Sequence, residues 1–194
     1  MEYRWDWTSR WATYSPEHVA VYDIGLGKKL TYRELNEKAN YLAFLFQKGW
    51  ELEVGDRIGI LAENSIEFVI LFAAAQKTGV TLVPMNWRLS GPEVDYLIGN
   101  STPKVCLVQE RFQQKLEAAT DHYPKVPIQM SWEDFGGMMN SIPSDIPNYS
   151  PVDFEEDHPI FILYTSGTTG FPKGALYTHK MLLWNSLNTA LRLD

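Results

Sequence analysis

The sequence predicts an α/β fold, a mainly parallel sheet with helices on both faces, and three observations predict it. Short apolar runs that read as strands alternate along the chain with segments of helical periodicity. The connections between successive strand candidates are too long for hairpins, so the strands must run parallel with crossovers. Finally, Gly55-Asp56-Arg57-Ile58-Gly59-Ile60-Leu61 alternates poorly and ends apolar, as a strand covered on both faces does. In sheets of this kind ligands sit beyond the carboxyl ends of the strands.

Taken in order, the opening segment is rich in Trp (Trp5, Trp7, Trp11), expected to pack it onto the body, and Pro16 precedes a strand candidate at Val19-Ala20-Val21-Tyr22. A helix then starts at Leu30-Thr31, with Thr31 as N-cap and Glu34 as its capping-box partner. Leu35, Ala39, Leu42, Ala43 and Phe46 share one face of it, and Gly49 ends it. After the strand at Leu61, Asn64 and Glu67 repeat the capping pattern. The helix from there to Thr78 is apolar almost all round, hence deeply buried, and Gly79 closes it. Thr81-Leu82-Val83-Pro84 is the next strand, Ser90 with Glu93 caps another helix, and Lys104-Val105-Cys106-Leu107-Val108 is a buried strand. Phe112, Leu116 and Ala119 mark an amphipathic helix. Glu34, Glu67 and Glu93 read as helix caps, not catalytic acids.

Residues 1–135 therefore form an α/β unit. From 136 to 159 the periodicity disappears among Pro143, Pro147, Pro151 and Pro159, which marks a connector. Its run Asp153-Phe154-Glu155-Glu156-Asp157 lacks a spacing that would make carboxylates converge on a metal and reads as a solvated face. Residues 160–194 hold two strands around a polar loop, and then a helix near Lys180.

Composition excludes several function classes. The 194 residues, 45% hydrophobic and 21% charged, are ordinary for a globular domain. A formal charge of −7 argues against nucleic acid or an anionic membrane as partner. Any phosphate site must then be locally positive, and Lys173, His179 and Lys180 are the residues expected to make it so. The single cysteine, Cys106, rules out an internal disulfide and fits a reducing compartment; on a buried strand it is a packing residue. The N-terminus has no signal-peptide pattern, and the longest apolar run, Phe68 to Ala75, is too short to be a transmembrane segment, so the chain reads as cytoplasmic.

The chemistry concentrates in Tyr164-Thr165-Ser166-Gly167-Thr168-Thr169-Gly170-Phe171-Pro172-Lys173-Gly174, after the apolar run Ile160-Phe161-Ile162-Leu163. Thr165, Ser166, Thr168 and Thr169 supply hydroxyls, Gly167 and Gly170 allow the backbone a close approach, and Lys173 adds a point charge. Donors, glycines and one lysine, with no acid among them, suit a polyphosphate. A Walker loop would require G-x-x-x-x-G-K-[ST] opening into a helix. Counted from Gly167, that frame puts Pro172 at the second Gly and Gly174 at the Ser/Thr. Beyond Gly174, the stretch Ala175-Leu176-Tyr177-Thr178 looks like a strand. A plain turn-rich surface loop needs neither the strand leading in nor Pro172-Lys173-Gly174 leading out. The reading is a phosphate loop between two strands.

This stretch resembles the signature of the AMP-forming, adenylate-making enzymes, the superfamily of acyl-CoA synthetases, luciferases and peptide-synthetase adenylation domains. The resemblance extends through Leu30-Thr31-Tyr32-Arg33-Glu34-Leu35, Gly55-Asp56-Arg57, Asn64, Pro84-Met85-Asn86-Trp87-Arg88-Leu89-Ser90 and Thr178-His179. It covers nearly the whole chain but only the N-terminal part of the family's longer proteins. It implies that a carboxylate attacks the α-phosphorus of ATP to give an acyl-adenylate and pyrophosphate, and that a thiol, here CoA, then displaces AMP. Thr165, Ser166, Gly167, Thr168, Thr169 and Gly170 would wrap the β- and γ-phosphates with Mg²⁺ assisting. Lys173, the catalytic residue of the set, would neutralise charge near the leaving pyrophosphate.

His179 either assists or only flanks the last helix. Asn86-Trp87-Arg88-Leu89 is more similar to acid–CoA ligases than to amino-acid-adenylating domains but does not name the acid; a fatty acid is the expected substrate from the overall resemblance to fatty-acid–CoA ligases. An aryl-CoA ligase, a peptide-synthetase domain and a non-catalytic remnant or interaction module stay open. One local departure is Met181, where the family often carries Asn. The family's adenine, ribose and acyl motifs lie outside the resembling region. Residues 1–194 alone are therefore expected to be inactive, and to leave a sheet edge and apolar surface uncovered, through which they form a homodimer or aggregate.

Overall fold

The computed structural model describes residues 5–119, 121–165 and 171–192. Helix α1 (Trp7–Tyr14) is capped by Asp6, whose carboxylate accepts from the Ser9 N–H at 3.0 Å. Strands β1 (Val19–Asp23) and β2 (Lys28–Thr31) form an antiparallel hairpin outside the main sheet. Thr31 ends β2 and also caps α2 (Tyr32–Phe44). The expected capping box is complete there: the Thr31 N–H donates to Glu34 at 2.7 Å, and Thr31 Oγ1 accepts from the Glu34 N–H at 3.2 Å. Leu35, Ala39, Leu42 and Ala43 are buried as the periodicity requires, and a π-helical turn, Leu45–Gly49, carries Phe46 into the core.

Strand β3 (Arg57–Leu61) leads to α3 (Ile66–Thr78). Its N-cap is Ser65, not Asn64: Ser65 holds the extended backbone of a cap (φ −154°, ψ −179°), and its hydroxyl donates to Glu67. Gly79 closes the helix in the left-handed conformation (φ 70°). Next along the chain are β4 (Thr81–Pro84), α4 (Gly91–Ser101) behind the Ser90/Glu93 capping box, and β5 (Val105–Val108). The amphipathic segment after β5 is only one short helix, α5 (Glu110–Gln113), continued as a 3₁₀ helix over Gln114–Ala118.

The chain then forms β6 (Ile128–Ser131) and α6 (Trp132–Asn140), so the connector begins at 141 and not at 136. Gly136 and Gly137 argue locally against a helix. Burial of Trp132, Phe135 and Met139 on one face outweighs that cost. Last come β7 (Pro159–Thr165), β8 (Lys173–Thr178) and α7 (His179–Ala190).

The main sheet has the order β6-β5-β3-β4-β7-β8, parallel throughout except for β8, which returns antiparallel beside β7. Alternate strand residues feed two cores. Ile58, Ile60, Leu82, Val105 and Leu107 pack with α2, α3 and α6. Leu61, Val83, Cys106 and Val108 pack with α4 and the segment after it. This is the predicted parallel sheet with helices on both faces. Burial pushes the Cys106 thiol up to about 12, which keeps it protonated and inert. Among the described residues no helix is long and apolar enough to cross a membrane.

The start of α7 is held by an aromatic knot that the sequence did not suggest. His179 is 1% exposed, its ring 4.7 Å from Phe154 and 5.6 Å from Trp5 (centroid distances). Burial, and secondarily the neighbouring His158, push the His179 imidazole down to about 4. Unfolded, the same group titrates near 6.5. Below that pH the unfolded chain binds a proton the folded one refuses, so stability is full above about 6.5 and falls as pH drops toward 4. The loss reaches at most about 3 kcal/mol. Thermal melts at pH 7.5 and 5.0 should show this drop, and His179→Phe should flatten it; an unchanged pH slope in the variant would place the acid sensitivity elsewhere.

Candidate functional site

The predicted site lies on the β7–β8 hairpin at one margin of the sheet, next to the carboxyl end of β4. The register is Leu163 opposite Ala175, Tyr164 opposite Gly174 and Thr165 opposite Lys173. Directly opposed residues of an antiparallel pair point to the same face. Thr165 and Lys173 therefore stand side by side where the two strands open. Ser166, Gly167, Thr168, Thr169 and Gly170 lie outside the described residues.

Tyr164 points to the other face. Its phenol donates to Asn100 Oδ1 at 2.6 Å on α4, and burial raises its pKa. Gly174 is what lets that ring lie flat across the strand pair. A Cβ there would meet Ile162 Cγ2 at 2.9 Å and the Tyr164 ring at 3.3 Å. Gly174 thus serves the seating of Tyr164, beyond any turn requirement.

Between α4 and the hairpin runs a groove of about 670 Å³, lined among others by Asn86, Glu93, Tyr96, Tyr164, Thr165 and Phe171. That size suits a small-molecule site. Bonds from the Ser90 hydroxyl and N–H hold the Glu93 carboxyl below the usual range, so it stays an anionic cap. Tyr96 and Asn100, one turn apart on α4, are contacts that sequence reading missed. The signal was present: Val94, Leu97, Ile98 and Ser101 define the buried face of α4, and Tyr96 and Asn100 fall beside it at i, i+4.

Two of the three cations expected around the phosphate site are not there. Thr178, at the far end of β8, is about 17 Å from Lys173 at the rise of a strand. His179 comes next and is buried and neutral at pH 7. Lys180 is bound to Glu156 at 2.7 Å, which also gives the acidic run of the connector its partner. Thr178-His179 is structural: Thr178 caps α7, its hydroxyl accepting from the Met181 N–H at 3.2 Å. Lys173 alone stays at the hairpin mouth, and among the described residues no carboxylate pairs with it. Nor does any group of three His, Cys, Asp or Glu side chains among those residues converge on a metal.

Comparison with known proteins shows the family and the fold. The chain is 32% identical over 169 residues to a long-chain-fatty-acid–CoA ligase of Mycobacterium tuberculosis, covering 87% of this chain and 33% of that relative. Its fold superposes on a Mycobacterium tuberculosis fatty acyl CoA synthetase with a TM-score of 0.80 at 29% identity, covering 96% of this chain and 38% of that one. On ATP-bound MatB from Rhodopseudomonas palustris the TM-score is 0.76 at 27% identity, covering 94% and 36%. The chain thus spans about a third of the length of the relatives it matches. Over residues 8–193 it fits the family described as AMP-binding enzyme, and it belongs to that family.

Proposed function

We propose that this chain is the phosphate-binding, N-terminal part of an AMP-forming acid–CoA ligase that acts on a fatty acid. The observation that carries the proposal is the pairing of Thr165 with Lys173 at the mouth of a hairpin, beside the carboxyl ends of parallel strands and flanking a run of glycines and hydroxyls. That placement gives a triphosphate hydroxyl and backbone donors on one side and a single ammonium on the other. The 670 Å³ groove leaves room beside it for a bound small molecule. The fatty acid, and CoA as the thiol acceptor, rest on the similarity to the mycobacterial ligase.

Mg²⁺ fits as a passenger of ATP. A small hard cation held by substrate phosphates and water needs few protein ligands; Thr165 offers a hydroxyl, and the Glu93 carboxylate that lines the same groove is engaged as the cap of α4. What the ion supplies is charge neutralisation on the phosphates. The residues of this chain hold the phosphates and place Lys173 where pyrophosphate charge develops.

Adenylate formation is reversible, so the experiment is acid-dependent ATP–pyrophosphate exchange. A complete enzyme carrying this segment should exchange with long-chain fatty acids and give a CoA-trapped product. Stimulation by amino acids with a carrier-protein acceptor would move the assignment to a peptide-synthetase domain. Residues 1–194 alone should show no exchange, since they amount to a third of a relative's length.

A second reading, an interaction module that pairs with a copy of itself, is favoured by one feature. Leu176 on the outer strand and Met181, Trp184 and Leu187 on α7 are all at least 45% exposed, and 181–191 carry no charge. Sedimentation equilibrium of the wild type and a Trp184→Lys, Leu187→Lys variant tests it: a wild-type monomer removes the module, as does a dimer that survives the two lysines.

A further inference from the structure

The two strand ends that flank residues 166–170 are both tied to α4. On the incoming side the Tyr164 phenol donates to Asn100. On the outgoing side the Phe171 ring lies against Tyr96 with centroids 5.2 Å apart. Phe171 is 65% exposed, and the β7–β8 ladder ends at Lys173, two residues beyond it. Ladder hydrogen bonds therefore do not hold Phe171, and its aromatic contact spans the groove instead. Helix α4 is a firm reference for both ties. Its first turn is closed by the Ser90/Glu93 box, and Val94, Leu97 and Ile98 are buried.

We propose that Tyr96 is a positioning residue for the phosphate site: by holding Phe171 it fixes the strand end that carries Lys173, and so sets how Lys173 and Thr165 present themselves to a polyphosphate. Tyr96 need not touch the ligand. The proposal rests on the phosphate-binding reading above and adds to it a residue that the motif does not contain. An aromatic pair of this kind is worth about a factor of two to ten in an equilibrium.

The test uses the 194-residue protein with tripolyphosphate as probe, affinity read by NMR titration, and amide exchange read by mass spectrometry on peptides spanning 162–176. Tyr96→Ala should weaken tripolyphosphate two- to tenfold and speed exchange in those peptides only. Tyr96→Phe should restore both, because the contact needs the ring and not the hydroxyl. Phe171→Ala should match Tyr96→Ala, and the double variant should be no worse than either. Unchanged affinity and exchange in Tyr96→Ala would overturn the proposal, as would failure of Tyr96→Phe to rescue or faster exchange throughout α4 and the sheet. If the wild type binds no tripolyphosphate, the phosphate reading fails, while the exchange comparison still decides whether Tyr96 holds the strand end.

Discussion

Lys173→Ala, made in a complete enzyme carrying this segment, is expected to slow adenylate formation ten- to a thousandfold while barely moving the melting temperature. The rate effect is the scale of losing one charge-stabilising donor, about 1.4–4 kcal/mol of transition-state stabilisation. The small stability effect comes from exposure: Lys173 is exposed at the hairpin mouth, where its removal buries and uncovers little. Lys173→Arg should recover only part of the rate, since a planar fork replaces a compact ammonium. ATP–pyrophosphate exchange measures it. Full exchange in Lys173→Ala would remove this lysine from the site.

Lys77→Met is expected to be the most damaging single change to stability, at about 3–5 kcal/mol in urea denaturation. The Lys77 side chain is 0% exposed and donates to Asp6 at 2.6 Å, to Ser9 Oγ at 2.7 Å and to Asn36 Oδ1 at 2.8 Å, joining α3 to α1 and α2. Burial pushes both groups toward their neutral forms. For Lys77 that effect prevails and its pKa is lowered. For Asp6, the Lys77 charge together with the hydrogen bonds from Lys77 and Ser9 outweighs burial, and the carboxyl stays below its usual range. Removing the lysine therefore strands a buried carboxylate. Asp6→Asn combined with Lys77→Met should recover most of the loss; a Lys77→Met variant within about 0.5 kcal/mol of wild type would contradict this reading of the network.

What the sequence disclosed and what it hid have physical causes. Thr31 with Glu34, Ser90 with Glu93, and Gly79 were legible because helix ends are satisfied by residues a few positions away. The β7–β8 hairpin was legible for the same reason. Strand β6 was not: its four residues gain their stability from pairing with β5, more than twenty residues earlier. Lys77 was invisible because its partner Asp6 is 71 positions away. His179 and Lys180 were misplaced because nearness along a strand is distance in space. The chemistry of residues 164–174 was readable as composition, whereas Tyr96 and Asn100, which hold its flanks, needed the packing of α4 against the hairpin.

The most direct measurement of the central claim is an ATP–Mg²⁺ titration of the isotope-labelled 194-residue protein, mapping amide shift changes by residue. The expected result is weak binding, millimolar or weaker, for a chain that spans about a third of its relatives' length. Its shift changes should be confined to 164–174 and the facing residues of α4, and abolished by Lys173→Ala. Shift changes centred elsewhere, such as the crevice at the carboxyl ends of β3 and β5, would contradict the assignment of the phosphate site, and so would micromolar binding that survives Lys173→Ala.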